Sequence, residues 1–214
     1  MNLEIVSPKP RYQVCYYVCM PHIHTEPDQH DMTVSAYIMR KFDNQWKGLV
    51  HFHRKTKVYM QVGGHIELNE TPWQAMAHEL QEESGYFLSQ LKILQYNDRQ
   101  QVPAKHIVHP IPMAMNTHFV GSDHFHSDIC YGFVANDDPA VPVSDGESND
   151  LRWLSKEDLI SMSSTGEVVE DTASLYLDIF GSLESYKLVP ADSFKVTKPT
   201  SASITYKTGN IKRS

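Results

Sequence analysis

Cysteine is scarce in this sequence: Cys15, Cys19 and Cys130 are the only three among 214 residues. An odd count without CxxC spacing indicates neither a disulfide framework nor a zinc knuckle, so a reducing, cytoplasmic setting is expected. Long apolar runs are missing too. No segment approaches the roughly 20 apolar residues of a membrane-spanning helix, and the opening stretch "MNLEIVSPKPRYQVCYYVCMP" is broken by Pro8 and Pro10 before it can form the apolar run of a signal peptide. Positive charge is also short. Lys and Arg number 19 against 26 Asp and Glu, and the formal net charge of −7 disfavours a broad surface for nucleic acid or anionic membrane. After residue 184, six basic side chains (Lys187, Lys195, Lys198, Lys207, Lys212 and Arg213) oppose Asp192 alone, so this end carries +5 and the remainder −12.

What is present is a run of strand-like segments around one well-marked helix. Residues 12–20 read as a candidate strand, 32–40 ("MTVSAYIMR") and 49–55 ("LVHFHRK") as a hairpin across the turn "DNQWKG", and 58–62 ("VYMQV") as a short strand running into Gly63 and Gly64. "LKILQY", "PMAMNTHFV", "SDICYGFVA" and "DLRWL" are further strand candidates, and "SKEDLISM" and "EDTASLYLDIFGSL" read as helices. Between them, Thr71 can cap a helix with Pro72 at its first position, Gln74 completing a capping box and Gly85 ending it, which predicts a helix over Pro72–Ser84. Trp73, Met76, Ala77 and Leu80 recur at helical spacing and form its buried stripe.

Beside that stripe stand Glu79, Glu82 and Glu83, at i, i+3 and i+4 on one helix face. Like charges so placed repel. A hard divalent cation with oxygen ligands, Mg²⁺ above all, would resolve the repulsion, whereas an isolated Glu-x-x-Glu-Glu is more often a solvated face. The surrounding spacing decides for the cation. Gly64, five residues, Glu70, seven residues, His78-Glu79-Leu80, one residue, Glu82-Glu83, one residue, Gly85-Tyr86 resembles the Nudix box, G-x5-E-x7-R-E-U-x-E-E-x-G-U, at every defining position except the arginine, replaced here by His78. The "GGH" loop before it is similar to that of a bacterial Nudix subgroup, and the flanking strand segments extend the resemblance over about residues 31–162, more weakly to 181.

The resemblance implies an α+β fold, the α/β/α sandwich with a mixed sheet, as a domain over residues 31–181, between an N-terminal extension (1–30) and a basic Ser/Thr/Lys-rich tail (182–214) with a weak strand at "SITYKT". It implies a pyrophosphohydrolase that uses Mg²⁺ or Mn²⁺ to cleave a phosphoanhydride in a nucleoside diphosphate-linked molecule, a nucleoside triphosphate or a nucleotide sugar such as ADP-ribose. Residue by residue, Glu82 and Glu83 match metal-binding glutamates, and Glu79 matches one that binds metal or accepts the proton of the attacking water. Gly63 matches a backbone carbonyl ligand. Glu70 and Gly64 are supporting positions, and Glu147, in the loop before "DLRWL", is the candidate for a further acid, ahead of Asp145 and Asp150. His78 departs from the pattern: arginine is a permanently charged fork, whereas histidine is shorter and ordinarily titrates near neutrality. It is the sequence feature favouring a rival reading, a slow nucleotide-sensing or regulatory module on the same fold.

Twelve histidines include the pairs His22/His24, His51/His53 and His124/His126, whose i, i+2 spacing puts both rings on one strand face. No cysteine or HExxH partner accompanies them, so motif grounds do not support a zinc site; His65, His53 and His126 are candidates for substrate contact instead. Tyr59, Trp46, Phe125 and Tyr131 are read as core rather than base-stacking residues. The expected partner is a small nucleotide-like molecule, with the N-terminal strand available to pair across a homodimer.

Overall fold

The computed structural model describes residues 28–96, 106–121 and 124–197. The candidate strands at 12–20 and 203–208 and the His22/His24 pair lie outside them. In chain order the elements are β1 (His30–Phe42), β2 (Gln45–His53), β3 (Val58–Met60), β4 (Val62–His65), α1 (Pro72–Glu79), β5 (Leu91–Gln95), β6 (Ala114–Val120), β7 (His124–Ala135), β8 (Leu151–Leu154), α2 (Lys156–Ser164), α3 (Glu170–Ser182) and β9 (Lys187–Pro190). The strands form one mixed sheet in which β1 and β7 run parallel at the centre and the other pairs are antiparallel.

The alternation of apolar side chains along β1 and β7 explains the layers. Val34, Ala36 and Ile38 of β1, with Tyr131 and Phe133 of β7, bury against Trp73, Met76 and Leu80, the stripe of α1 and the turn after it. Tyr37 and Met39, with Cys130 and Val134, point to the other face and bury against Ala173, Tyr176 and Ile179 of α3. A strand covered on both faces reads as a continuous apolar run, as "VSAYIM" does. Helices therefore lie on both sides of the sheet, as the sandwich reading expects. The hairpin turn between β1 and β2 is made by Asp43 and Asn44, both at positive φ (44° and 67°), the twist that suits a two-residue hairpin.

Beyond residue 181 the structure departs from the expected tail. β9 adds to the sheet beside β5, and Ala191 and Phe194 enter the core, with the Phe194 ring 5.9 Å from that of Trp73. Sparse apolar residues without helical period gave no signal of this, because a short edge strand and one anchoring aromatic need no period.

Both central strands split their outer edges between two neighbours. β1 pairs with β4 through Thr33–Ala36 and with β2 through Met39–Phe42, while its opposite edge belongs to β7. Between those stretches, where β2 turns away from β1, the buried Tyr176 hydroxyl takes the Ile38 N–H (3.1 Å) and donates to the Leu49 carbonyl (2.5 Å). The ring lies over Gly48, where even a Cβ would come within 2.6 Å of it.

Candidate active site

The fork brings the glycine strand β4 alongside β1, directly under the end of α1. Thr71 caps that helix and Gln74 closes the capping box, as the sequence predicts. The α-helix stops at Glu79, however, and residues Leu80–Ser84 form a π-helical turn where a regular helix to Ser84 is expected. Ser84 donates its hydroxyl to the Leu80 carbonyl (2.5 Å), and Gly85 closes the turn at φ 73°. Side-chain competition of this kind and a left-handed cap are local choices that the apolar period does not report.

Two of the three helix-end carboxylates, Glu79 and Glu83, meet β4, while Glu82 turns to His78. Glu83 is buried, at 7% exposure, and accepts the Gly63 N–H at 2.8 Å. Glu79 lies over Gly64, so close that a Cβ there would be 2.4 Å from its Oε1. The two glycines thus serve different ends. At Gly63, with φ 151°, a Cβ would meet the Val34 carbonyl oxygen at 2.1 Å, so the backbone there passes too close to β1 for any side chain. At Gly64 the missing side chain is the space that the Glu79 carboxylate occupies.

Burial pushes the Glu79 carboxyl up to about 7, with Glu82, Glu147 and Glu70 adding to the rise and His78 opposing it. Burial likewise raises Glu83 well above the ordinary carboxyl range, reinforced by Glu79 and Glu147 and offset in part by the Gly63 N–H. Glu147 therefore stands within electrostatic reach of both. Its loop is fastened to the helix end by the Ser144 N–H, which donates to the Glu82 carbonyl at 2.8 Å, and to β2's end by Arg54, which reaches the Gly146 carbonyl at 2.7 Å. Asp145 is exposed. Asp150 is engaged by the Tyr59 hydroxyl and by Arg152.

His78, half exposed, bridges two acids: its Nε2 is 3.0 Å from Glu82 and its Nδ1 3.6 Å from Glu70. The loop acid and the helix are thereby linked through an imidazole. His51 is a neighbour that motif reasoning weighed only as half of a metal pair. Its Nε2 lies 3.5 Å from Glu83 Oε2, and burial beside His53 pulls its pKa down to about 4. At neutral pH the ring is uncharged, so the contact is polar rather than an ion pair. Only the pairing of β2 against β1 could have revealed it.

Glu83, buried, and Glu79, partly buried, with raised carboxyl pKa values and further acids beside them, make a donor set suited to a hard, oxygen-liganded divalent ion. The family model of the NUDIX domain matches residues 29–176. The chain belongs to the Nudix family. No curated relative matches it. Among solved structures, a NUDIX-family hydrolase from Clostridium perfringens is similar over 72% of this chain and 97% of its own, with 28% identity and a TM-score of 0.55. The Ap4A hydrolase of C. elegans shares the fold over 72% of this chain and 98% of its own, at 18% identity and a TM-score of 0.53. The Nudix assignment makes the chain a pyrophosphohydrolase that acts on acid anhydrides. None of the helices among the described residues is long and apolar enough to cross a membrane.

Proposed function

We propose that this Nudix hydrolase cleaves the phosphoanhydride of a nucleoside diphosphate-linked substrate, a nucleoside triphosphate or a nucleotide sugar such as ADP-ribose, with Mg²⁺ or Mn²⁺ held by Glu79, Glu82, Glu83 and the Gly63 backbone. The observation that carries this reading is the seating of Glu79 and Glu83 against Gly64 and Gly63, where burial first, and then the neighbouring acids including Glu147, raises both carboxyls. A bound divalent ion supplies the positive charge that offsets the diphosphate's own and acidifies a water for in-line attack.

The chain's own residues supply the rest. Gly63 fixes the Glu83 carboxylate by its N–H. Glu79 either shares in holding the ion or accepts the proton of the attacking water. Glu147 adds a further acid from the loop. His78 and Glu70 brace Glu82, and Gly64 gives Glu79 its place.

The test is a panel of nucleotides with Mg²⁺ and phosphatase-coupled phosphate release, with Glu83→Gln as the control. Metal-dependent turnover of at least one nucleotide, lost in Glu83→Gln, supports the reading. Binding of nucleotides without turnover would favour the sensing module.

A further inference from the structure

Apart from the box glutamates, on the other face of the sheet, the structure gathers Asp31 of β1, His65 of β4 and His126 of β7, each offering a donor atom within 4.8 Å of the others. The register explains the meeting. Asp31 stands beside His126 in the parallel β1–β7 pair, and His65 opposite Thr33 in the β1–β4 pair. Asp31, Thr33 and Ser35 share the face of Tyr37 and Met39, the face opposite α1. The three donors come from three strands and were not legible as a motif, since their spacing in sequence is set by the topology.

The neighbours on this face are otherwise engaged. Thr33 donates to Asp128 at 2.9 Å, Cys130 donates to the same carboxylate, and Gln61 donates to Ser35 at 3.0 Å. His126 differs: it is 6% exposed, yet its Nε2 has no hydrogen-bond partner among the described residues. A buried, unpaired imidazole nitrogen carries a desolvation cost that a ligand would remove. His65 Nε2 and Asp31 Oδ2 lie 3.7 Å apart, near the roughly 3.3 Å that two ligands of a tetrahedral ion with ~2.0 Å bonds subtend. The His65 and His126 rings stand at 83° with centroids 4.9 Å apart, so neither stacks over the other's nitrogens.

We propose that Asp31, His65 and His126 form a second metal site, separate from the glutamates of the box, that takes a first-row divalent transition ion such as Zn²⁺. Two imidazoles and one carboxylate suit these ions and not Mg²⁺, which prefers oxygen and keeps its waters. Such an ion pins β4 to the central strands immediately beyond Gly63 and Gly64, tying the glycine strand to the sheet.

The experiment uses the full chain carrying Glu82→Gln and Glu83→Gln, stripped with chelator and titrated with Zn²⁺ against a chromophoric competitor and with Co²⁺ by visible absorption. The expected result is one ion per chain, a Co²⁺ spectrum of a four- or five-coordinate site, and a Zn²⁺-dependent rise in Tm. His126→Ala or Asp31→Asn weakens binding by more than roughly tenfold, since even losing the partner of a ligand costs that much. Should the buried substitutions fail to fold, His65→Gln, at a half-buried ring, gives the same reading. Absence of bound ion in the chain carrying Glu82→Gln and Glu83→Gln, or undiminished affinity in the folded Asp31, His65 and His126 variants, overturns the proposal. Neither outcome depends on whether nucleotides are hydrolysed.

Discussion

Replacing Gly64 with alanine separates the carboxylate's position from the stability of the fold. The new methyl carbon would lie 2.4 Å from Glu79 Oε1 and 2.7 Å from its Cδ, about 1 Å inside ordinary contact distance. The backbone at 64 is not in the left-handed region, and the atom that must yield is the end of a flexible side chain. The fold therefore accommodates the change. Gly→Ala at a compatible position is even stabilising by about 0.4–1 kcal/mol through the unfolded chain. Glu79 is displaced by about 1 Å, and a displacement of that size at a reacting group costs on the order of 10²-fold in rate, or about 2.7 kcal/mol of transition-state stabilisation. The assay is kcat/KM on the best substrate of the nucleotide panel together with Tm. Gly64→Ala is expected to lose about two orders of magnitude in kcat/KM with an unchanged or slightly raised Tm, and adding Glu79→Asp, which withdraws the carboxylate from the methyl, is expected to recover part of it. Gly63→Ala should behave oppositely, lowering Tm sharply, because its methyl meets backbone at 2.1 Å and its φ is 151°. A Gly64→Ala enzyme that keeps its rate within about threefold would refute the argument that the Glu79 carboxylate works from above this glycine.

Four further outcomes are expected. Without divalent ions, stability should fall as pH rises from about 4.5 to 7. Glu79 titrates near 7 in the fold against an ordinary 4.5, so across that window the folded chain holds protons that the unfolded chain has released; thermal melts in chelator should show the decline, Mg²⁺ should flatten it, and a level profile in chelator would contradict the burial argument. Tyr176→Phe should cost about 1–3 kcal/mol in denaturant melts, since it leaves the Ile38 N–H and Leu49 carbonyl unpaired in the core. Phe194→Ala should cost about 3–5 kcal/mol, a loss that a segment outside the core would not show. His78→Arg should change both turnover and its pH profile, because a permanent charge replaces the imidazole between Glu70 and Glu82; identical profiles would show that the bridge is idle.

The helix cap, the apolar stripe and the strand segments flanking the box were legible because each is a local pattern with a fixed period or spacing. Thr71, Pro72, Gln74 and Gly85 announce the ends of the helical segment, and Trp73, Met76 and Leu80 announce the face it buries. The residues that escaped are those whose neighbours are set by topology. His51 meets Glu83 only because β2 and β4 share an edge of β1, and Phe194 meets Trp73 only after β9 has turned back along β5. The meeting of Asp31, His65 and His126 likewise depends on a parallel pairing between strands more than eighty residues apart. The π-helical turn was missed for a different reason, since Leu80–Ser84 is as good a helix by composition as the turns before it.

That wide turn has a bearing on how the segment can vary. Its wide pitch sets the angle between Glu79 and the two acids that follow it. If Leu80–Ser84 relaxed to ordinary α pitch at the same length, Glu82 and Glu83 would rotate further around the axis and Glu83 would leave the amide that holds it, whereas losing one residue together with the wide pitch keeps the two acids nearly in place. Pitch and residue count in this stretch therefore trade against each other, and Glu83 meets the Gly63 amide only where the two match.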